Sequence, residues 1–448
     1  MRSLLALLVL VSAAQAAVLR VPLQFPTIQA AVDAAQPGDH VVVSPGLYAE
    51  SVSLAGKSQL VLRAAGVVRL DATGLGPALS LAGCSSVTVR GLRFVGADGV
   101  AVMIDSCTDV LVAQCRLQAG AGADSMQVVG GSGLRIQRCT FAGSQAEAAL
   151  AVGLSGGPVQ DLSVKGCLFA KPSQDAVQLD QVQGAVFERN VARRTGLCFV
   201  DVMGSVADVV LRDNRVQKPG DVAVFALGSG VTAEHNLVMS GSGSGLFLQG
   251  SGMIASDNII GSVAAQGLLL FGSDGQALAN RISGCGENGI TCDGLHMTVS
   301  DNIVDGALST GVQVTGTAQT VERNQISAAQ LYGLYLNASG SGVHDNVVVG
   351  AGGFPMIAGM LVVGNGLSFS GNQVSGAGYD GLVLSGQQGQ VANNSALGSV
   401  HDGFSLQGTG CVLTGNVAHD SGDLDLFELH VGANSIDESN DFGSSNAP

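Results

Sequence analysis

Asparagine returns along this chain at Asn190, Asn214, Asn236, Asn258, Asn280, Asn302, Asn324, Asn346, Asn372, Asn394 and Asn416, at intervals of 24, then 22 six times, then 26, 22 and 22. A fixed period of this length is the mark of stacked supersecondary units, each unable to bury its apolar face alone. Most repeats carry an apolar residue three positions before the Asn and another two positions after it, as in Val299-Ser300-Asp301-Asn302-Ile303-Val304. About nine residues later a Gly opens a run of alternating apolar positions, as in Gly245-Leu246-Phe247-Leu248 and Gly311-Val312-Gln313-Val314. Each repeat therefore contains at least two short strands separated by turns. Upstream the same rung carries Cys115, Cys139 and Cys167. A buried Asn can donate to one neighbour in such a column and accept from the other. Cys is expected to serve there as a small apolar filler.

A leucine-rich horseshoe has a comparable period and also carries an Asn, but it needs a Leu-dominated strand and a helical return. Here Val, Ile, Leu and Met interchange, both halves of the repeat alternate, and no helix-forming run is present. The sequence predicts an all-β chain, a single-stranded right-handed parallel β-helix of about 15 coils with ~22 residues per coil. Composition agrees: 65 of 448 residues are Gly, 4% are aromatic and Trp is absent, a profile of turns and small inward residues.

Thr27-Ile28-Gln29-Ala30-Ala31-Val32-Asp33-Ala34-Ala35 reads as a short amphipathic helix with Thr27 near its N-cap and Pro37-Gly38 ending it, placed to cover the open end of the first coil. Arg2, the apolar run Leu4 to Val11 and the small-x-small stretch Ala14-Gln15-Ala16 read as a secretory leader with the mature chain starting at Ala17. The expected organisation is a signal peptide over 1–16, an N-terminal cap with the helix over 17–40, the β-helix over 41–430 and a C-terminal cap or tail over 431–448. The protein is thus expected to be exported, whether periplasmic, cell-surface or extracellular. No later stretch is long and apolar enough to span a membrane.

Net charge is −15. Phosphate-rich partners are repelled by such a surface, which excludes nucleic acid as an expected partner and disfavours acidic polysaccharides unless cations bridge the two. Nine cysteines in an exported chain invite a disulfide framework. Cys84 and Cys107 fall one coil apart, and Cys115, Cys139 and Cys167 fall on the Asn rung, so buried free thiols are the expectation. Cys285 and Cys292 are the best remaining pair, and no Cys or His spacing matches a zinc site.

The stretch Phe25-Pro26-Thr27-Ile28-Gln29-Ala30-Ala31-Val32-Asp33-Ala34-Ala35, followed by Val41-Val42-Val43-Ser44-Pro45-Gly46-Leu47-Tyr48, resembles the opening of pectin methylesterases and of many relatives in the pectin lyase-like superfamily. With the repeats, the resemblance covers about residues 25 to 440. It implies the β-helix and leaves the activity open among lyases, hydrolases, esterases, epimerases, tailspikes and non-catalytic surface proteins. A second stretch, Cys167-Leu168-Phe169-Ala170-Lys171-Pro172-Ser173-Gln174-Asp175, resembles the methylesterase pattern Cys-x-Phe-x-Gly-x-Gln-Asp with one extra residue. Val200-Asp201-Val202-Met203-Gly204 resembles that family's Val-Asp-Phe-Ile-Phe-Gly, one residue short. By that resemblance Asp175 would be the general acid and Asp201 the nucleophile. The interval between them is longer than in the family, and the Leu-Gly-Arg-Pro-Trp segment that supplies its arginine is missing.

Register places Phe225, Phe247, Leu269, Thr291, Gln313 and Tyr335 in one outward column, and Phe225, Leu227, Phe247, Leu269 and Phe271 in an apolar stripe. The candidate ligand-binding residues are accordingly Phe225, Phe247, Leu269, Phe271 and Tyr335. The stripe would be a platform for sugar rings or a surface covered by a loop or partner. Asp180 and Asp201 face outward one coil apart and two residues out of register, which puts their Cα atoms ~8 Å apart. That separation suits inverting glycoside hydrolysis. The candidate catalytic residues are Asp175, Asp180 and Asp201. Lyase chemistry needs a strong base on this face, whereas Arg193, Arg194, Arg212 and Lys218 fall on turns or another sheet. Asp380, His401, Asp402 and Asp423 recur in the turn before the Gly-headed strand; Asp380, Asp402 and Asp423 are the candidate metal ligands, with calcium the cation such oxygens would take. Asp before Gly is also ordinary turn chemistry. No cofactor is required by any of these readings. The chain is therefore expected to recognise a polysaccharide or cell-surface glycan along an elongated face, with hydrolase, esterase or lyase activity open because no catalytic set is complete. The alternative is a non-catalytic envelope protein or adhesin.

Overall fold

The computed structural model describes residues 16–95, 99–118, 120, 122–143, 148–154 and 156–447. The leader expected over 1–16 lies outside these residues except for Ala16. The chain winds as a right-handed parallel β-helix of about 19 turns, more than the 15 that the sequence period indicates. The undercount has a physical origin. The stack extends into both regions expected to be caps, with Val18–Val21 already paired to His40–Val43 and Ser435–Ile436 and Asp441–Phe442 still paired to the preceding coil; an early bulge between Arg63 and Val68 also interrupts the period.

Each coil contributes to three parallel sheets. In one coil the back sheet receives Thr298–Ser300, the side sheet Ile303–Asp305 and the front sheet Val312–Thr317. Every one of these strands pairs with its equivalent one coil on: Thr298 with Thr320, Ile303 with Gln325, Val312 with Leu334. Pairing begins with Val18–Val21 against His40–Val43 and reaches Asp441–Phe442. The inward residues of the front strands, such as Leu246, Leu248, Leu268, Leu270, Ile290 and Cys292, are fully buried in a single axial core.

The expected helix spans Ile28–Ala34, capped by Thr27, whose hydroxyl accepts from the Ala30 N–H at 3.1 Å. Its Ile28, Ala31 and Val32 are buried against the first strands, closing the end of the core.

The bend between back and side sheets explains the Asn period. The residue before each Asn from Asn190 to Asn416 takes a left-handed conformation, as at Asp301 (φ 60°) and Arg323 (φ 54°), which turns the next backbone N–H out of the sheet pairing. Such groups must find another partner once buried. The Asn302 N–H donates to Asn324 Oδ1 at 3.1 Å, and Asn302 Nδ2 donates to the same oxygen at 2.9 Å and to the Ala277 carbonyl at 2.8 Å. The pattern repeats from Asn190 to Asn416 and ends on Asn440, 24 residues later, a member the sequence reading did not include.

Cysteines continue the column upstream, but not as apolar filler. Cys167 Sγ accepts the Cys139 N–H at 3.4 Å, and the Cys167 N–H donates to Asn190 Oδ1 at 2.9 Å. Sulfur thus stands in for the amide oxygen. A parallel substitution joins the Cys84 N–H to Cys107 Sγ at 3.3 Å. All nine cysteines, Cys285 and Cys292 included, are buried and unpaired.

One further column went unread in the sequence. Gly228, Gly250, Gly272, Gly294 and Gly316 are in register near the ends of successive front strands. A Cβ on Gly272 (φ 125°) would collide with the Gly250 carbonyl oxygen of the preceding coil. Close backbone approach, rather than turn geometry alone, requires glycine there.

Candidate functional site

The expected site residues lie on the front strands or in the turns beside them: Asp180 directly follows the strand Asp175–Leu179, and Asp380, Asp402 and Asp423 precede the strands Leu382–Ser385, Phe404–Leu406 and Leu426–Glu428. The outward column of the front sheet reads Gln178, Asp201, Phe225, Phe247, Leu269, Thr291, Gln313, Tyr335, Leu361, Val383, Ser405 and Phe427 in unbroken register, one residue per coil. Successive rungs are ~4.8 Å apart.

The aromatic part of the column is built by stacking. Phe225 and Phe247 lie 4.8 Å apart with planes 18° from parallel, and Phe247 meets Phe271 at 5.5 Å. All three rings are half-buried. Leu269 is only 8% exposed, although it belongs to the same outward column, because Phe247 adjoins it in register and Phe271 follows two residues on. The stripe is narrower than the sequence indicates and is made of ring faces and edges.

A polar network follows directly. Thr291 Oγ1 donates to Gln266 Oε1 at 2.6 Å, while Asn288 Nδ2 donates to Thr291 Oγ1 at 3.1 Å and to Gln313 Oε1 at 3.0 Å. Beyond it the rings of Tyr332 and Tyr335 meet at 5.6 Å.

At the other end of the stripe, Asp201 is register neighbour to Gln178. Asp201 Oδ1 and Gln178 Oε1 are both buried acceptors without a hydrogen-bond partner among the described residues. Burial first, and the charge of Asp175 second, push the Asp201 carboxyl up to about 6. Asp180 lies two residues beyond the register partner of Asp201, as the sequence predicts, and its carboxylate fills the space a Cβ on Gly204 would occupy. Gly204 is thus explained by packing against Asp180.

Asp175 has a backbone duty. It is 5% exposed, and its Oδ1 accepts the Cys198 N–H of the next coil at 2.8 Å. The same bond recurs at equivalent positions: Asp124 Oδ1 takes the Ala148 N–H, Asn288 Oδ1 the Thr310 N–H, Asp380 Oδ1 the Asp402 N–H and Asp402 Oδ1 the Leu424 N–H. Each sits two residues before the first inward residue of a front strand. That spacing was legible in the sequence, and it marks an entry cap for the front sheet.

The Asp201 carboxyl makes stability pH-dependent. Between the ordinary 3.8 and about 6 the folded chain binds more protons than the unfolded chain, so stability falls as pH rises through that window. Asp201→Asn is expected to raise the melting temperature relative to the parent at about pH 7.5 and to leave it unchanged at about pH 3.5. Equal shifts at both pH values would show that the carboxyl is not desolvated.

The second polar cluster lies near the C-terminal end of the same face. His401 Nδ1 is 2.8 Å from Asp380 Oδ1 and 3.2 Å from Asp402 Oδ2, while its Nε2 is 3.5 Å from Asp423 Oδ2. The imidazole stacks on Tyr379 at 4.3 Å. Burial opposes its charge, but the bond to Asp380 and the charges of Asp402, Asp380 and Asp423 outweigh it and hold His401 above the ordinary imidazole range. Burial also raises Asp402. Asp380, His401 and Asp402 bring ligand atoms within 4.8 Å of one another; Asp423 meets the other ring nitrogen and stands apart from that trio. An open cleft of about 570 Å³ lies over the cluster, bounded by Tyr332, Tyr379 and Phe427.

No helix among the described residues is long and apolar enough to cross a membrane. The sequence profile described as the right-handed beta helix region matches residues 77–238 and 222–366. No curated protein matches the chain significantly. Among solved structures, an alginate lyase from Paenibacillus sp. str. FPU-7 is similar at 17% identity and a TM-score of 0.46, covering 54% of this chain and 93% of that one. PfbA, a surface adhesin of Streptococcus pneumoniae, is similar at 14% identity and a TM-score of 0.43, covering 61% and 86%. The PL6 family polysaccharide lyase Pedsa3628 from Pseudopedobacter saltans is similar at 16% identity and a TM-score of 0.41, covering 64% and 82%.

Proposed function

This chain belongs to the right-handed β-helix family, and on that scaffold we propose that its front face recognises a linear, neutral polysaccharide. The observation that carries the reading is the unbroken outward column, in which Phe225 and Phe247 stack with Phe271 beside them and pass into Thr291 and Gln313, which bond Gln266 and Asn288, and then into Tyr335 beside Tyr332. Ring faces take the apolar faces of sugars, and fixed amides and hydroxyls take their hydroxyl groups. A linear polymer laid along the axis meets one such group per coil. Acidic polymers are disfavoured by the carboxylates at both ends of the strip and by the net charge of −15. An exported protein meets such polymers at or beyond the cell surface, which is where the leader-like start would deliver it.

Asp201 is the group on this face best suited to chemistry, because a carboxyl near 6 can donate a proton close to neutrality. Asp180 is its candidate partner; Asp175 acts through its charge on Asp201. The chain recognises glycan first, and turnover depends on whether Asp201 reaches a glycosidic oxygen. The test is a glycan array followed by turnover assays on the hits. Binding of a neutral linear glycan, weakened by Tyr335→Ala with the fold intact, is the expected outcome. An array without hits would favour a spacer or adhesin that uses no glycan on this face.

At the other end of the strip, a divalent cation would be held by Asp380, His401 and Asp402 rather than by three carboxylates. An imidazole in the set suits zinc or nickel better than calcium. Zinc is expected to raise the melting temperature of the parent but not of His401→Ala, with calcium producing little change; a rise with calcium alone would contradict this.

A further inference from the structure

The corner at which each coil leaves the side sheet carries a second polar surface, separate from the front column. Lys171, Arg194 and Lys218 occupy the same turn position on three successive coils, directly after the strands Leu168–Ala170, Val191–Arg193 and Arg215–Gln217. All three are left-handed, with φ of 54°, 54° and 55°. Their backbone N–H groups are fixed by bonds to the carbonyls of Arg193, Gln217 and Met239 at 3.0, 2.9 and 3.0 Å, so the cationic side chains project from an immobile corner. The equivalent turn residues in later coils, from Ser240 through Gly284 and Gly350 to Asp420, are Ser, Gly, Ala or Asp. A long side chain has no backbone advantage in this conformation. The turn itself therefore does not account for the cations.

Together with Arg193 and Gln217 these residues line one open cleft of about 490 Å³ that has no acidic residue in its wall. The neighbouring carboxylates are already engaged: Glu188 by Lys165 at 3.0 Å and Arg212 at 3.1 Å, Asp213 by Arg189 at 3.8 Å. Lys171, Arg193, Arg194 and Lys218 have no acidic partner among the described residues. With its amide turned so that Oε1 faces the Arg215 guanidinium, Gln217 would accept from Nε at 3.1 Å and Nη2 at 2.8 Å and keep its NH₂ as a further donor. The concentration is regional. Of the 20 Lys and Arg residues in an acidic chain, only Arg2, Arg20, Lys57, Arg281 and Arg323 fall outside residues 63–218.

We propose that this corner cleft is a binding site for a phosphate or sulfate group. Four unpaired cations repel one another until an anion enters, and a tetrahedral oxyanion offers several acceptor oxygens at once, where a carboxylate offers two. The two arginines supply planar forks that bind such oxygens in pairs, and the two lysines supply point charges. Because all four side chains are exposed, the attraction is screened by salt. The site does not depend on the front-face reading, and either can fail alone.

The experiment is calorimetric titration of the full chain at low ionic strength with inorganic phosphate and inorganic sulfate, then with a sugar phosphate and a sugar sulfate. Saturable binding with Kd below about 1 mM that weakens as sodium chloride is added is expected. The double variant Arg194→Gln/Lys218→Gln should weaken it about tenfold or more, whereas Arg281→Gln, an exposed arginine on a distant coil, should leave it unchanged. Tighter binding of the sugar phosphate identifies a phosphate ester as the source, and tighter binding of the sugar sulfate identifies a sulfated glycan. The absence of saturable binding by any of these anions, or equal weakening by Arg281→Gln, would overturn the proposal. Circular dichroism of the variants establishes that any loss reflects the site and not the fold.

Discussion

Asn302→Leu is expected to lower the melting temperature more than any conservative change on the surface. The substitution removes the acceptor for the Asn280 N–H at 2.9 Å and for Asn280 Nδ2 at 3.0 Å, and the donor to the Ala277 carbonyl at 2.8 Å. Both Asn280 and Asn302 are fully buried, so no water replaces these bonds. Each orphaned buried donor costs ~1–3 kcal/mol, or about 2–6 kcal/mol for the two. Coils of a solenoid contact only their neighbours, so the lesion should also loosen the adjacent coils before the ends of the rod unfold. Asn302→Cys should cost less, because Cys167 already accepts a backbone N–H in this column. Thermal unfolding followed by circular dichroism measures both. An unchanged melting temperature for Asn302→Leu would mean that the column is solvated.

Leu248→Ala is the second large effect. Leu248 is fully buried, between Ala226 and Leu270 in the neighbouring coils. Truncation leaves a cavity in a core with no slack along the axis, at a cost of ~2–5 kcal/mol. Phe247, one residue earlier, points to the opposite side of the sheet. Its ring is half-buried against Phe225 and Phe271, so Phe247→Ala should lose only the partial stacking, about 0.5–1.5 kcal/mol per ring pair. Urea unfolding of the two variants ranks them. Equal losses would mean that Phe247 is covered core and that the strip is not available to a ligand.

The sequence period revealed whatever depends on register alone. The Asn column and the front column from Phe225 to Tyr335 follow from it, while the capping helix was legible separately from its apolar spacing after the Thr27 cap. The ends of the stack were harder to see: short strands such as Val18–Val21 and Asp441–Phe442 join it without an Asn-headed repeat, and a bulge between Arg63 and Val68 breaks the early period. Features that depend on side-chain rotamers were invisible. Nothing in the residue order indicates that Leu269 lies only 8% exposed beside Phe247 and Phe271, that His401 stacks on Tyr379, or that Asp423 meets the far nitrogen of His401. Asp175 carries two readings at once. A local resemblance gives it a chemical role, and its repeat position, shared with Asp124, Asn288, Asp380 and Asp402, gives it a backbone amide to hold, a duty legible only once the coils are aligned. The basic corner was read only as cations off the front face, since Lys171, Arg194 and Lys218 converge only once their coils are stacked in register.

On the proposed reading, the outward strip of the front sheet recognises glycan, and the core folds without it. The most direct measurement is the affinity of Phe247→Ala for a glycan that binds the parent, taken by titration calorimetry under conditions where both proteins are folded. The account predicts that Phe247→Ala weakens binding about tenfold or more, in line with the loss of a central aromatic anchor, with the melting temperature close to that of the parent. Undiminished affinity in a folded Phe247→Ala would contradict the claim and move the glycan to another face of the rod.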